Sequence, residues 1–333
     1  RVMTQDALGK SIPWRYRFGF PTLGRKWIDS AAEGTVPGTA RQARICVGAD
    51  TPNIGPGRYL WIAEAAFLER DPDATWDLRV SRIPDVRDTV GKEDFSAYRG
   101  AASTNGVVSF RDDGMTLLDG KPIFPFGPSS VRKCKLNGFS FDTAMAQLKA
   151  IGCNLVHGYT QIGTPECEEF VAACAKHGLL TMLETADRKS VGAARDREIA
   201  GNVARMRNRG VMLAWVVGDD TANYRTPEEV MRDTMVCRAA DPTARTISVD
   251  VVTYEGRHYP YAHACDAVSP ELYPFRNETP EPDALEKVVL NQRNAINDNR
   301  RAGAIGKGLL PVLQAFSGWK EWKRYPTYDE VRG

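Results

Sequence analysis

The stretch Asn154-Leu-Val-His-Gly-Tyr-Thr-Gln-Ile-Gly-Thr164-Pro165-Glu-Cys-Glu-Glu-Phe-Val-Ala-Ala-Cys-Ala-Lys-His177-Gly178-Leu-Leu-Thr-Met-Leu-Glu184 spells out one strand–helix–strand unit. Its two ends, 154–159 and 179–184, are short apolar runs of strand length. Between them Thr164 stands where a hydroxyl can cap a helix, and Pro165 opens it with a preset φ. Glu166 and Glu168 complement the positive end of the helix dipole, and Gly178 stops the run. The spacing predicts a helix over 165–177.

The same grammar repeats on both sides. Strand-sized runs occur at 123–127, 212–220, 246–250, 267–273 and 309–316. Helices are expected over 141–151, with Asp142 as N-cap and Gly152 as stop, over 227–239 behind Thr226, and over 285–301. Strands alternating with helices build a parallel sheet. Strand starts from 123 to 309 are about 31 residues apart, so eight units need about 248 residues, close to the ~250 of a (β/α)8 barrel. A nucleotide-binding sheet would place a glycine-rich turn after its first strand, but Gly127-Pro-Ser-Ser130 contains no G-x-G-x-x-G and no P-loop. The expected fold is α/β, a (β/α)8 TIM-type barrel over 108–333 with room for seven of its eight units. At this spacing the eighth unit would run to about residue 371, so further C-terminal sequence is expected.

Residues 1–107 have a different texture. Short apolar runs at 43–47, 58–68 and 76–80 are separated by Pro52, Gly55, Pro56 and Gly57. Frequent turns between short strands predict an N-terminal β-sandwich of jelly-roll type. The run 58–67 also has helix propensity, which leaves a short helix there as the alternative.

Composition narrows the function. Forty-four Lys and Arg balance 42 Asp and Glu, for a net charge of +2. That gives no polyelectrolyte footprint for nucleic acid. No run approaches the ~18 apolar residues of a membrane span. The seven cysteines form no C-x-x-C pair, so neither a disulfide framework nor a zinc site is expected. His258 and His263 are five apart and are read as a surface loop rather than metal ligands. No metal and no cofactor is expected. Oligomeric state has no signature here.

In a barrel the chemistry sits at the C-terminal strand ends. There the sequence places His157 and Tyr159, then Glu184 and Asp187, then Asp219 and Asp220, then Asp250. Glu271 and Tyr273 follow on the sixth strand, and Gln314, Phe316, Trp319 and Trp322 on or after the seventh. Carboxylates mixed with aromatic rings suit carbohydrate, because rings stack on sugar faces and carboxylates bind hydroxyls or move protons. Adjacent Asp219 and Asp220 point in different directions. Either one caps the next segment and the other is solvated, or one is a general acid.

Five segments in order resemble clan A glycoside hydrolases, the β-galactosidase and cellulase-like group. Gly114-Met-Thr-Leu-Leu-Asp-Gly-Lys-Pro-Ile-Phe-Pro-Phe-Gly127 resembles their hairpin entry into strand 1. Residues 148–157 resemble the step into strand 2 and 172–180 the step into strand 3. Leu213-Ala-Trp-Val-Val-Gly-Asp-Asp220 falls where the clan carries Trp and then Asn-Glu or Asp-Glu. Residues 313–316 and 325–332 look like a poorly characterised glycosidase-like branch. The resemblance covers about residues 110 to 333. It implies glycosidic-bond hydrolysis with Asp220 in the acid/base position and Asp219 in the preceding slot. It also implies a strand-7 nucleophile where this chain has Gln314, an amide that cannot be a carboxylate nucleophile. Asp is one methylene shorter than Glu, which withdraws the proton donor by about 1.5 Å, and a displacement near 1 Å can cost ~10²-fold.

Two functions therefore stand. One is a glycosidase with Asp220 as acid, Asp219 beside it and Glu271 as partner, with His157, Tyr159, Glu184, Tyr273, Gln314, Trp319 and Trp322 binding substrate. The other is a non-catalytic carbohydrate-binding or structural protein, a pseudoenzyme on a degenerate barrel. The glycosidase resemblance points to a secreted, periplasmic or cell-surface location; the unpaired cysteines point to a reducing cytoplasm.

Overall fold

The computed structural model describes residues 2–5, 11–16, 42–45, 85–250, 252, 257–275, 284–317 and 322–332. The chain divides into two compact units, residues 1–84 and 85–333. In the first, β1 (Val2–Gln5), β2 (Ser11–Tyr16) and β3 (Gln42–Ile45) form an antiparallel sheet in the order β2-β1-β3. Most of the remaining span of the expected β-sandwich, including 58–68 and 76–80, lies outside the described residues, while 85–107 belongs to the second unit.

The second unit opens with a small antiparallel sheet of β4 (Val108–Phe110), β5 (Thr116–Leu118) and β6 (Lys121–Pro122). A parallel sheet follows. Its strands are β7 (Leu155–Gly158), β8 (Leu180–Glu184), β9 (Met212–Gly218), β10 (Thr246–Asp250) and β11 (Ala267–Leu272). Next to β11 come β12 (Gly308–Leu309) and β13 (Val312–Leu313). Strand order follows chain order with no reversal, which excludes a doubly wound sheet with its switch point. The α/β class and parallel sheet expected from the sequence are present, and the sheet curls as an open part-barrel.

The helices are α1 (Phe141–Ala150), α2 (Pro165–Lys176), α3 (Gly192–Met206), α4 (Thr221–Tyr224), α5 (Pro227–Ala240), α6 (Ala284–Arg301) and α7 (Tyr328–Arg332). α2 begins as read, with the Thr164 side chain accepting from the Cys167 N–H and Pro165 in the first turn. α5 carries a full capping box between Thr226 and Glu229. α1 corrects the expectation. Ser140, not Asp142, is its N-cap, accepting from the Thr143 N–H. Asp142 sits in the first turn and its carboxylate pairs with Lys176 and His177 at the end of α2.

The sheet has two apolar faces. One packs on helices through Val156, Leu183, Trp215 and Val217, against Phe141, Phe170, Ile199, Val203 and Val236. Phe141 and Phe170 meet edge to face at 5.5 Å; burying each is worth about 1.5–3 kcal/mol. Val86, Val90 and Phe95 join this cluster, so part of the stretch before 107 packs with the second unit. The inner face, with Leu155, Leu180, Met182, Val216, Ile247, Val249 and Ala267, is covered by Val108, Phe110 and Leu118 of the hairpin. Helices on one face and a plug on the other is the layering of a barrel wall.

Two expected strands are irregular. Residues 123–127 do not form a ladder. Phe126 O accepts from the N–H groups of Asn154 and Leu155, Pro128 O accepts from His157, and Ser129 bridges His157 in parallel. Pro125 and Pro128 have no N–H to donate, the Ile123 N–H is turned to Thr116 O and the Phe126 N–H to the Asn154 side chain, and Ser130 donates across the edge to His157 O at 3.0 Å. Gly127 lies so close that an added Cβ would stand 1.7 Å from Leu155 O. The seventh strand is split into β12 and β13 at Leu310-Pro311. There Leu310 still donates to Val268 O, and the Ser269 hydroxyl donates to Leu310 O at 2.5 Å.

His258 corrects a second expectation. It is buried, 1% exposed, under α6 rather than on a surface loop. Among the described residues neither ring nitrogen has a hydrogen-bond partner, and burial lowers its pKa to about 3, which keeps the ring neutral. Its backbone N–H donates to Asp298 Oδ2 at 2.8 Å, which draws the residue inward.

Candidate active site at the strand ends

Side-chain alternation decides what faces the barrel axis. On β7, Leu155 packs in the inner cluster and Val156 in the helix cluster. A Cβ on Gly158 would meet the Phe170 ring of α2 at 2.5 Å. His157 and Tyr159 therefore face inward, with ring centroids 4.4 Å apart. On β8, Met182 points in and Leu183 out, which sets Glu184 inward. On β11, Ala267 is inner and Val268 packs on Ala295 of α6, so Glu271 faces in.

The two aspartates after β9 part company. Arg188 ion-pairs with Asp219 and also with Glu184 Oε1 at 3.2 Å. This guanidinium ties the ends of β8 and β9 together. Asp220 takes a left-handed backbone, φ 50°, at the N-cap of α4, but its side chain makes no capping bond. That conformation is tolerated by Asp more than by most residues. Thr221 anchors the turn, within 2.7 Å of Ser248 Oγ and donating to Val249 O at 2.9 Å.

The electrostatics tie these groups into one site. Burial raises the Asp220 carboxyl, and the charge of Asp219 raises it further; Arg188 and Arg257 oppose the rise. Burial pushes Glu271 up to about 7, helped by Asp219, Asp220 and Asp250, although the Tyr273 hydroxyl donates to Glu271 Oε2 at 2.9 Å. Burial and then the charges of Asp219 and Glu271 raise Tyr159. Burial lowers His157 to about 4, so its ring is neutral at pH 7. Its Nδ1 lies 3.1 Å from Ser129 Oγ, while Nε2 has no partner among the described residues. Asp250 is buried at the end of β10 with Arg257 3.6 Å away.

The far wall is aromatic. Tyr273, Phe316 and Trp322 meet edge to face, with centroids 4.8 to 5.9 Å apart. Trp322 Nε1 donates to Tyr273 O at 3.1 Å. Gln314 is 4% exposed and its amide is spent on the main chain. Oε1 accepts from the Phe275 N–H at 3.0 Å, and Nε2 donates to the carbonyls of Phe275 and Phe316 at 3.2 Å each. It is a bracket between two loops. Trp319 lies outside the described residues.

Of the sequence candidates, His157, Tyr159, Glu184, Asp219, Asp220, Glu271 and Tyr273 gather at one rim. Trp322 supports that rim through Tyr273, and Gln314 is turned to the backbone. Arg188, Arg257 and Ser129 were missed. Only the four-residue interval from Glu184 to Arg188 hinted at any of them. A pair of half-buried carboxyls with raised proton affinity, beside phenols and a neutral imidazole, can donate and accept protons at a bound hydroxyl or ether oxygen. Among the described residues no group of three or more His, Cys, Asp or Glu could hold a metal ion, and no helix is long and apolar enough to cross a membrane.

No family model and no curated protein matches this sequence. Among solved structures it is similar to a Bacteroides uniformis β-glucuronidase, at 15% identity over 64% of this chain and 27% of that one, TM-score 0.46. It is also similar to a GH2 β-galacturonidase from Eisenbergiella tayi bound to galacturonate, at 16% identity over 65% and 41%, TM-score 0.43. A Ruminococcus gnavus β-glucuronidase gives 13% identity over 64% and 39%, TM-score 0.43. The chain spans well under half the length of these proteins. Similarity at this level carries no argument about activity.

Proposed function

We propose that this chain is a glycoside hydrolase-like protein acting on an oligo- or polysaccharide. The observation that carries the proposal is the meeting of Asp219-Asp220 with Glu271, Tyr159 and Tyr273 at the inner rim of a curled parallel sheet. Asp220 is the candidate general acid, since its carboxyl holds its proton above the ordinary range and has no ion-pair partner among the described residues. Asp219 is committed to Arg188 and shapes the field rather than the proton transfer. Glu271 is the partner carboxyl, on β11, two strands along the sheet from β9. With Gln314 locked to the main chain, the position where the resembled clan carries its nucleophile holds no carboxylate, which favours water attack assisted by Glu271 over a glycosyl-enzyme intermediate.

Gln314 also supports a second function, carbohydrate binding without catalysis, because the clan's nucleophile position here serves only packing. Hydrolysis of a panel of aryl glycosides by the wild type and by Asp220→Asn separates the two. Hydrolysis lost in the variant supports the acid assignment. Equal rates in both proteins overturn it, and sugar binding with no hydrolysis of any substrate establishes the second function.

A further inference from the structure

The end of β9 is irregular. Its register against β10 slips by one residue at Val217, since Val216 faces Ile247 and Gly218 faces Ser248. Such a bulge re-aims the chain beyond it and is frequent beside active sites, and Asp219-Asp220 follows directly. The bulged carbonyl has its own donor, Arg225 Nη1, at 2.8 Å from Val217 O. Arg225 is itself fixed, because its N–H donates to Thr221 O and its carbonyl accepts from the Tyr261 hydroxyl at 2.6 Å. The loop after β8 is held from α3 in the same manner. Asn202 Nδ2 donates to Thr185 O at 2.9 Å, and the Asp187 N–H donates to Glu198 Oε1 at 2.9 Å. Arg195 Nη1 donates to Asp187 O at 2.8 Å. The next residue, Arg188, is the one that pairs with Asp219 and Glu184.

Both arginines meet at one buried carboxylate on α5. Asp233 accepts from Arg195 Nε at 3.1 Å and from Arg195 Nη2 at 2.7 Å, and Arg225 Nη1 donates to its Oδ2 as well. A buried ion pair is by itself weak evidence of stabilisation, because desolvation offsets the attraction. What sets this one apart is where the other contacts go. Each arginine also holds a main-chain oxygen at the root of a rim loop, Asp187 O on one side and Val217 O on the other. We infer that Asp233 is a positioning residue of the rim: through Arg195 and Arg225 it fixes the backbone that carries Arg188 against the backbone that carries Asp219-Asp220, so that the two meet. Its bearing on catalysis rests on the hydrolase reading above; its hold on the two loops does not.

The test is amide hydrogen exchange by mass spectrometry on the full chain at pH 7, with three variants. Asp233→Asn keeps the shape and removes the shared charge. Arg195→Lys keeps a cation beside Asp233, but one ammonium cannot reproduce a fork that holds Asp233 with two nitrogens and Asp187 O with a third. Arg225→Met leaves Asp233 paired with Arg195 and removes the donor on Val217 O. Exchange over 185–190 should rise at least about tenfold in Arg195→Lys, over 217–225 in Arg225→Met, and over both in Asp233→Asn, as loss of a charged hydrogen bond implies. Strands 155–158 and 246–250 should stay protected. Should Asp233→Asn not fold, the two arginine variants decide. Unchanged exchange in the expected segments overturns the inference, and so does a uniform rise across the sheet, which would mean global destabilisation alone. Aryl glycoside hydrolysis is scored separately: kcat should fall about tenfold or more in Arg195→Lys with KM within about twofold, since misplacement near 1 Å costs up to ~10²-fold. Loosened loops with unchanged kcat overturn the positioning role. A wild type that cleaves no glycoside overturns the hydrolase reading, and the exchange pattern still decides whether Asp233 holds the loops.

Discussion

Replacing Glu271 with Gln should make the protein more stable at alkaline pH. The Glu271 carboxyl is held at about 7 against an ordinary 4.5. Burial is the main cause, and three neighbouring carboxylates add to it. The folded state therefore binds this proton more tightly than the unfolded chain, and stability falls as pH rises from about 4.5 to about 7. Below 4.5 both states are protonated and the group makes no difference. Above 7 the folded state bears the whole shift, about 3 kcal/mol at ~1.4 kcal/mol per pH unit. Gln resembles the protonated acid in shape and can still accept the Tyr273 hydroxyl. Glu271→Gln should thus match the wild type near pH 4.5 and exceed it at pH 8 by up to about 3 kcal/mol. For a unit of this size that is about 6 °C in Tm. Thermal unfolding of both proteins at pH 4.5, 6, 7 and 8 reads this directly. A pH-independent difference, or a variant less stable at pH 8, would refute the electrostatic account of the rim. Such a gain on removing a charged group is the pattern of a site that gives up stability for chemistry.

Two further outcomes follow from the same geometry. Gln314→Glu, which restores the carboxylate of the resembled clan, should not restore a nucleophile. It removes the donor that serves the carbonyls of Phe275 and Phe316 and should lower stability by about 1–3 kcal/mol at pH 8, with partial recovery at pH 4 when the acid can donate again; unchanged stability at pH 8 would contradict the bracket role. Gly127→Ala should cost at least about 2 kcal/mol, because its Cβ would collide with the backbone oxygen of Leu155; a variant as stable as the wild type by urea denaturation would show that this edge of the sheet is not packed as described.

What the sequence made legible was local grammar. Thr164-Pro165 and Thr226-Pro227 announce helix starts because a hydroxyl cap and a fixed φ act within one turn, and the structure has both. Face assignment was legible too, because alternation on β7, β8 and β11 sends His157, Glu184 and Glu271 inward. Long-range partners were not. Nothing near Asp219 in the chain indicates that Arg188, 31 residues earlier, would bind it and leave its neighbour as the candidate acid. Nor does a polar loop motif around His258 reveal that Asp298, 40 residues on, holds it beneath α6. Strand 1 had the right place and the wrong form, since its apolar pattern says strand while Pro125 lacks a donor and the Ile123 and Phe126 N–H groups go to Thr116 O and the Asn154 side chain instead of a ladder. Gln314 could be flagged as a departure from the clan, but its engagement with two carbonyls and an N–H depends on how the loops after β11 and β13 meet.

The central claim, that this rim acts on a glycosidic bond, is tested most directly by a crystal structure of the chain with a bound oligosaccharide. The account predicts a glycosidic oxygen about 2.6–3.2 Å from an Asp220 carboxyl oxygen, with Glu271 on the other side of the sugar and the two carboxyls ~6.5–9.5 Å apart, as water attack requires. A sugar seated away from this rim, or a pair too widely separated to flank one bond, would contradict it.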